Sequence, residues 1–285
     1  MGRVFFDAAT GKYGASGHPE APFRVLETAE RLAAAGHKLE KPSRVAIPED
    51  VGLLHSPAHY KSVLAGDFYD ADTPAFPGIV DIALISVSGA LSASASALEG
   101  KPAFSLMRPP GHHAGRDRVA GFCYFNNLAL ACAAALKEKK AARIAILDID
   151  VHHGDGTESL VLGRDGIQFC SLHQVPLYPG SGLESRGNCE NIPLPEGTGE
   201  ENYIRALEPA LGRLLNFKPD LLAVSAGFDT YHEDPIAGLK LHKKTYARIG
   251  RLLAATKLKR FAVLEGGYAE AVPLLVESFL DGFFQ

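Results

Sequence analysis

Six short apolar runs carry hydrophobic residues on both parities, and this pattern narrows the possible folds more than any other feature of the chain. They are Arg3–Asp7, Ala103–Met107, Arg143–Asp150, Ile167–His173, Leu221–Gly227 and Arg260–Gly266. A strand wetted on one side alternates apolar and polar residues. A strand apolar on both parities is covered on both faces, as in a parallel sheet. Helical segments fall between the runs. Pro22–Ala35 has a proline in its first turn and Gly36 as its stop. Asn127–Lys140 is rich in Ala and Leu and closes on lysines, which suit the negative end of a helix dipole. Glu200–Leu215 follows Thr198, and Glu201 three residues on predicts a capping box. Alternating strands and helices predict a doubly wound α/β fold.

No linker, repeat or low-complexity tract interrupts residues 1–285, which predicts a single domain. Apolar residues make up 46% and charged residues 22%, as in a water-soluble globular chain. A net charge of −4 argues against a nucleic-acid binder, which carries a basic excess or stripe. The four cysteines, Cys123, Cys132, Cys170 and Cys189, form no CxxC pair and no disulfide framework, which predicts a reducing compartment. The opening MGRVFFDAAT has no charged segment ahead of an apolar core, so a cytoplasmic location is expected. Phe6 stands where myristoylation wants Ser or Thr. Ile79–Leu98 is the most apolar stretch, but Asp81 and five serines predict a core helix rather than a membrane span.

In doubly wound folds, ligands bind beyond the carboxyl ends of the strands. Ionisable groups gather there: Asp148, Asp150 and His152 after one run, His173 after another, Asp229 and Tyr268 after two more, and Arg108–His113 after a fifth. Within ILDIDVHHGDG (146–156), alternation along a strand predicts that Asp148, Asp150 and His152 share a face. Side-by-side buried carboxylates repel, and a cation removes that cost. A catalytic zinc has three protein ligands and a water. Asp150 and His152 supply two, and Asp229 in SAGFDTYHEDP is the best candidate for the third, with Asp234 second. Such a site also suits iron, cobalt or manganese. HSPAH (55–59) lacks the glutamate of a zinc helix and reads as structural.

RPPGHHAG (108–115) places His112 and His113 after a strand. Backed by Asp148 and Asp155, one of these histidines can act as general base on a metal-activated water and then as acid toward the leaving amine. In LEGGYAE (264–270), Tyr268 can donate to a developing oxyanion.

Together these segments resemble the histone deacetylase / acetylpolyamine amidohydrolase family. The match runs in the family's order through HPEAPFR (18–24), RPPGHHAGRDRVAGFCYFNN (108–127), LDIDVHHGDGTE (147–158), SLH (171–173), YPGSG (178–182), SAGFDT (225–230) and EGGY (265–268). RPPGHHA and EGGY are closer to the class II and bacterial branches. The resemblance implies an arginase/deacetylase-like α/β fold, with helices on both faces of a parallel sheet of about eight strands. It implies one zinc on Asp150, His152 and Asp229. His113 becomes the general base and acid, His112 its electrostatic helper, and Asp148 and Asp155 the carboxylates behind them. Tyr268 polarises the carbonyl. Gly121 and Phe122 form one wall of a substrate tunnel, with Tyr178 opposite. A structural potassium is implied beside Asp148, Asp150, His152, Ser171 and Leu172. Asp72, in the acidic stretch 66–78, matches the family's rim aspartate. Ile236 stands where one polyamine-selective branch carries a glutamate. Eukaryotic members carry long extra segments that this chain lacks, which implies a bacterial enzyme.

The implied substrate is an acylated lysine side chain, with an acetylpolyamine as the alternative. Two other readings are weaker. An inactive acyl-lysine binding module would have lost a ligand, His113 or Tyr268, and all are present. A ureohydrolase would need two metals. No membrane partner is expected, and the oligomeric state is left open.

Overall fold

The computed structural model describes residues 2–285. Its centre is one sheet of eight strands: β1 (Arg3–Phe5), β2 (Leu39–Glu40), β3 (Ala103–Ser105), β4 (Ile144–Asp148), β5 (Ile167–Val175), β6 (Cys189–Pro195), β7 (Leu221–Ala226) and β8 (Lys259–Leu264). The spatial order is β2-β1-β3-β8-β7-β4-β5-β6, and every neighbouring pair is parallel. The connecting helices are α1 (Phe23–Ala34), α2 (Pro48–Val51), α3 (Pro57–Ala65), α4 (Ile79–Leu98), α5 (Asn127–Lys137), α6 (Asp155–Val161), α7 (Glu200–Asn216), α8 (Lys243–Ala255) and α9 (Val272–Phe283).

The two-sided apolar pattern splits the core into two layers. Ile144 and Ile146 of β4 and Ala223 of β7 pack with α4, α5 and α6. Their neighbours Ala145, Leu147 and Val224 pack with α1, α7, α8 and α9. Each large apolar side chain so buried stabilises by roughly 1.5–3 kcal/mol relative to exposure. All strands run the same way, so every strand delivers its following loop to one edge of the sheet.

α4 is long and apolar enough to cross a membrane by length and composition, yet 72% of its apolar window is buried inside the protein. Ser86, Ser88, Ser92 and Ser96 each find a hydrogen-bond partner. Ser86 Oγ donates to Pro109 O (2.8 Å), and Ser88 Oγ donates to Leu84 O (2.6 Å) while accepting from Ala46 N (2.8 Å). α4 is therefore a core helix that also ties down the loop after β3.

Several boundaries differ from the sequence reading. β1 stops at Phe5 because Asp7 caps a short 3-10 turn, its Oδ1 accepting from Ala9 N at 2.9 Å. β3 stops at Ser105 and β4 at Asp148. α5 ends at Lys137. The expected Thr198–Glu201 capping box is absent: Gly199 is the cap residue, and Thr198 Oγ1 instead donates to Pro195 O at 2.7 Å. β2 and β6 lie outside the six apolar runs. β2 has only two residues, and β6 carries Pro193 and Pro195, which a strand tolerates at a sheet edge.

HSPAH is structural, as expected. Ser56 caps α3, its side chain accepting from His59 N (3.1 Å), and Pro57 fills the first turn. The rings of His55 and His59 stack at 4.9 Å. His55 Nδ1 donates to Gly115 O (2.8 Å), and its Nε2 accepts from Asn126 N (3.0 Å). Burial, helped by His59, pushes His55 down to about 3 from an ordinary 6.5. The unfolded chain thus takes up this proton first as pH falls. The stability His55 contributes is complete above pH 6.5 and drains away between 6.5 and 3. Urea titrations are expected to show about 2 kcal/mol lost to this residue between pH 7 and 5, with a shallower loss in His55→Asn. Equal slopes in the two proteins would contradict this.

Candidate active site

The segment that leaves β4 does so at Asp148, so Asp150 and His152 do not share a strand face with it. They lie on a bent connection into α6. Carboxylates accepting backbone N–H groups shape that connection. Asp148 Oδ1 takes Asp150 N (3.1 Å), Asp150 Oδ1 takes His152 N (3.0 Å), and Asp229 Oδ1, from the loop after β7, takes Val151 N (2.8 Å). Gly266 N, after β8, donates to Asp150 Oδ2 (2.7 Å). Three strand ends are thereby stitched together.

The outcome is a buried group of Asp150, His152 and Asp229, each offering a ligand atom within 4.8 Å of the others. His152 Nδ1 lies 3.1 Å from Asp150 Oδ1 and 3.2 Å from Asp229 Oδ2. Asp229 Oδ2 is buried and, with His152 Nδ1 at 3.2 Å, still accepts no well-aligned hydrogen bond, a costly state that a cation relieves. Metal bonds of about 2.0–2.2 Å would set tetrahedral ligand atoms roughly 3.3–3.5 Å apart, close to these spacings. The donor set therefore fits a divalent metal ion. Asp234, the second candidate, is not among the three. Its carboxylate accepts from Tyr268 N (2.8 Å) and Ile236 N (3.1 Å).

Electrostatics agree. Burial, and then Asp150, push Asp229 up to about 7. Burial would lower His152, but Asp150 and Asp229 outweigh it and hold it near 9. A proton on His152 thus does part of a cation's work, and a metal would displace it.

The tandem histidines stand beside this group with ring centroids 4.0 Å apart. His112 Nδ1 faces Asp148 Oδ2 at 3.0 Å, and His113 Nδ1 faces Asp155 Oδ1 at 2.7 Å. Arg118 pairs with the other oxygen of Asp155. Burial and the neighbouring His112 push His113 down to about 3, so it is neutral with Nε2 unprotonated. Burial opposes charge on His112 too, but Asp150 and Asp148 raise it well above its ordinary value.

His113, His152 and Tyr268 open onto a cavity of about 350 Å³, also lined by Gly121, Phe122, Tyr178, Asp72 and Ile236. Phe122 stands edge-on to Tyr268 (5.7 Å), and Tyr178 edge-on to His113 (5.0 Å). Gly121 has φ +52°, and a side chain there would collide with the His113 ring. Burial holds the Tyr268 hydroxyl well above its ordinary pKa, against the pull of Arg24. Ser171 pairs with Asp148 in the β4–β5 register and Leu172 follows it. Ser171 Oγ lies 2.9 Å from His173 Nδ1.

Sequence reasoning missed the residues behind the site. Glu20 is buried with two arginines: Arg24 Nη1 donates to it at 2.9 Å and Arg108 Nη2 at 2.6 Å. The Arg24 guanidinium lies 4.9 Å over the Tyr268 ring, and its Nε donates to Gly267 O (2.6 Å). Glu265 Oε2 accepts from Gly111 N (2.7 Å) and His112 N (3.1 Å), which ties the histidine loop to the tyrosine loop. His18 lines the cavity and donates from Nε2 to Asp72 O (3.1 Å). The available signals were the Glu20–Arg24 i,i+4 spacing and the glutamate that opens EGGY.

Residues 18–282 match the histone deacetylase domain family. The chain is 38% identical to a "Probable deacetylase" of Archaeoglobus fulgidus, covering 88% of this chain and 77% of that protein. It is 36% identical to the acetylpolyamine amidohydrolase of Mycoplana ramosa, covering 93% and 81%. The crystal structure of an acetylpolyamine aminohydrolase from Burkholderia pseudomallei superposes with a TM-score of 0.92 at 27% identity, over 99% of this chain and 98% of that one.

If the Asp–His–Asp group holds a metal, chelator-treated protein will melt at a lower temperature than protein resupplied with zinc. A gain of about 2.7 kcal/mol is expected at a hundredfold excess over Kd. Asp229→Asn should abolish the difference. Identical melting with and without metal would count against the site.

Proposed function

The chain belongs to the histone deacetylase family, and from that premise we propose that it is a zinc-dependent amidohydrolase removing a short acyl group from an amine. The observation that carries this reading is the convergence of a buried Asp–His–Asp group, a carboxylate-backed histidine and Tyr268 on one apolar-walled cavity. Asp150, His152 and Asp229 would hold the zinc, one per chain. When bound, it supplies Lewis acidity at the acyl carbonyl and makes water in the site more acidic.

The chain's own groups carry the proton traffic. Asp155 occupies Nδ1 of His113 and fixes its tautomer, which leaves Nε2 to take a proton from the attacking water. As the water oxygen bonds to the acyl carbon, the carbonyl oxygen gains negative charge, and the Tyr268 hydroxyl donates to it. Arg24 over the Tyr268 ring and Asp234 on its backbone N–H hold that tyrosine in place. When the C–N bond breaks, His113 Nε2 returns the proton to the departing amine, leaving a carboxylic acid and a free amine. His112, paired with Asp148, supports this transfer electrostatically.

Gly121, Phe122 and Tyr178 would enclose the alkyl chain of the amine. We take an acylated lysine side chain as the substrate. Ile236 puts an apolar group at the mouth, where a carboxylate would hold a distal ammonium. A second reading, an acetylpolyamine, draws support from the names of the relatives and from Asp72, a carboxylate lining the cavity. A potassium would sit among oxygens of Asp148, Asp150, His152, Ser171 and Leu172, where β4 and β5 lie side by side. Residues 1–285 would form one catalytic domain.

Assays with acetyl-lysine peptides, acetylpolyamines and longer acyl chains test the proposal. Zinc-dependent, hydroxamate-sensitive release of the acyl group is expected, with kcat falling about 10²–10³-fold in Tyr268→Phe. A zinc-loaded protein inactive on the whole panel would refute it.

A further inference from the structure

One buried histidine–glutamate pair has no part in that chemistry. His153 follows His152, yet its Nε2 lies 2.9 Å from Glu158 Oε2 on α6. Asn191 Nδ2 from β6 donates to the same oxygen at 2.6 Å. With a carboxylate at Nε2, that nitrogen carries the proton, and Nδ1 is left to accept from Ser181 Oγ at 2.8 Å. His173 holds the next residue: its Nε2 donates to Gly182 O (2.9 Å), and its ring lies 4.6 Å from that of His153. Gly182 has φ +77°, and a Cβ there would come within 2.6 Å of both imidazoles. Only glycine lets the chain rest on the two rings. Asn191 Nδ2 adds a bond to Glu184 O at 3.0 Å.

The bonds to Ser181, Gly182 and Glu184 all reach residues 176–188, a connection between β5 and β6 with no helix or ladder strand of its own. The same connection carries Tyr178. The residue is 40% exposed, yet its ring stands 5.0 Å from the His113 ring and 6.2 Å from that of His152. An exposed aromatic on an irregular segment keeps such a position only if the segment is fixed nearby. Fixing points to other elements lie three to six residues further on, at Ser181, Gly182 and Glu184.

We propose that the chain Asn191–Glu158–His153–Ser181, with His173 on Gly182, is the anchor that positions Tyr178 against the catalytic histidine. His153 and Ser181 are then positioning residues for the substrate's aromatic wall. The inference rests on the proposed function only in treating Tyr178 as that wall; the anchor itself can be read without any substrate.

The chain contains no tryptophan, so Tyr178→Trp gives a single fluorescent reporter on the wall. Ser181 is exposed, and its truncation leaves the core intact. Adding Ser181→Ala to the reporter protein should raise acrylamide quenching about twofold and lower the anisotropy, and Ser181→Thr should restore both. In the otherwise native enzyme, Ser181→Ala should raise KM about two- to tenfold, the weight of one hydrogen bond, with less change in kcat. In a Tyr178→Ala background it should add nothing to KM. His153→Gln, with its metal content measured, should follow Ser181→Ala. Unchanged quenching, or the same KM increase with and without Tyr178, would overturn the anchor. A reporter that responds in a protein with no hydrolase activity would uphold the anchor and sink the functional reading instead.

Discussion

Asp150 and Asp229 are buried carboxylates that converge on one imidazole, and much of the arrangement at this edge of the sheet answers to their charge. Removing one carboxylate from water costs several kcal/mol even after relaxation. Here the cost is met piecemeal by backbone N–H groups of Val151, His152 and Gly266, each from a residue that the parallel sheet delivers to the same edge. One oxygen, Asp229 Oδ2, is left over. That remainder is what suits the group to a cation rather than to a finished piece of core.

A second ring of buried charge supports the first. Glu20 sits between Arg24 and Arg108. Burial alone would raise its pKa, but the two guanidiniums hold it below its ordinary value, Arg108 foremost. Breaking such a pair costs about 3–5 kcal/mol, because the surviving charge is stranded. The geometry also has a consequence for the proposed chemistry. Arg108 opens the loop that carries His112 and His113, and Arg24 lies against Tyr268, so a single carboxylate braces both the proposed base and the proposed oxyanion donor. Glu265 makes the complementary link from the tyrosine side.

The sequence revealed the sheet because β4, β5, β7 and β8 are apolar on both parities, and that is the signature of strands between two helical layers. It concealed β6, where Pro193, Pro195 and Asn191 mask the pattern of an edge strand, and β2, which is too short to have a pattern. The clustering of Asp150, His152 and Asp229 was readable because one segment holds two of the residues and a neighbouring strand end holds the third. Strand alternation is not what brings them together. The strand ends at Asp148, and the side chains converge through carboxylate-to-backbone bonds that alternation does not encode. Asp148 consequently turns to His112. Glu20, Glu265 and His153 are hard to read because at least one partner of each, Arg108, Gly111 and Ser181 in turn, lies far along the chain, and a lone polar residue carries no sign of what it will be buried against.

The most direct test of the account is the metal stoichiometry of amide hydrolysis. Chelated protein should be inactive toward its best acyl-amine substrate, and activity should return linearly up to one equivalent of zinc per chain and then level off. Activity that survives complete metal removal, or that needs two equivalents, would contradict the single-metal amidohydrolase proposed from this site.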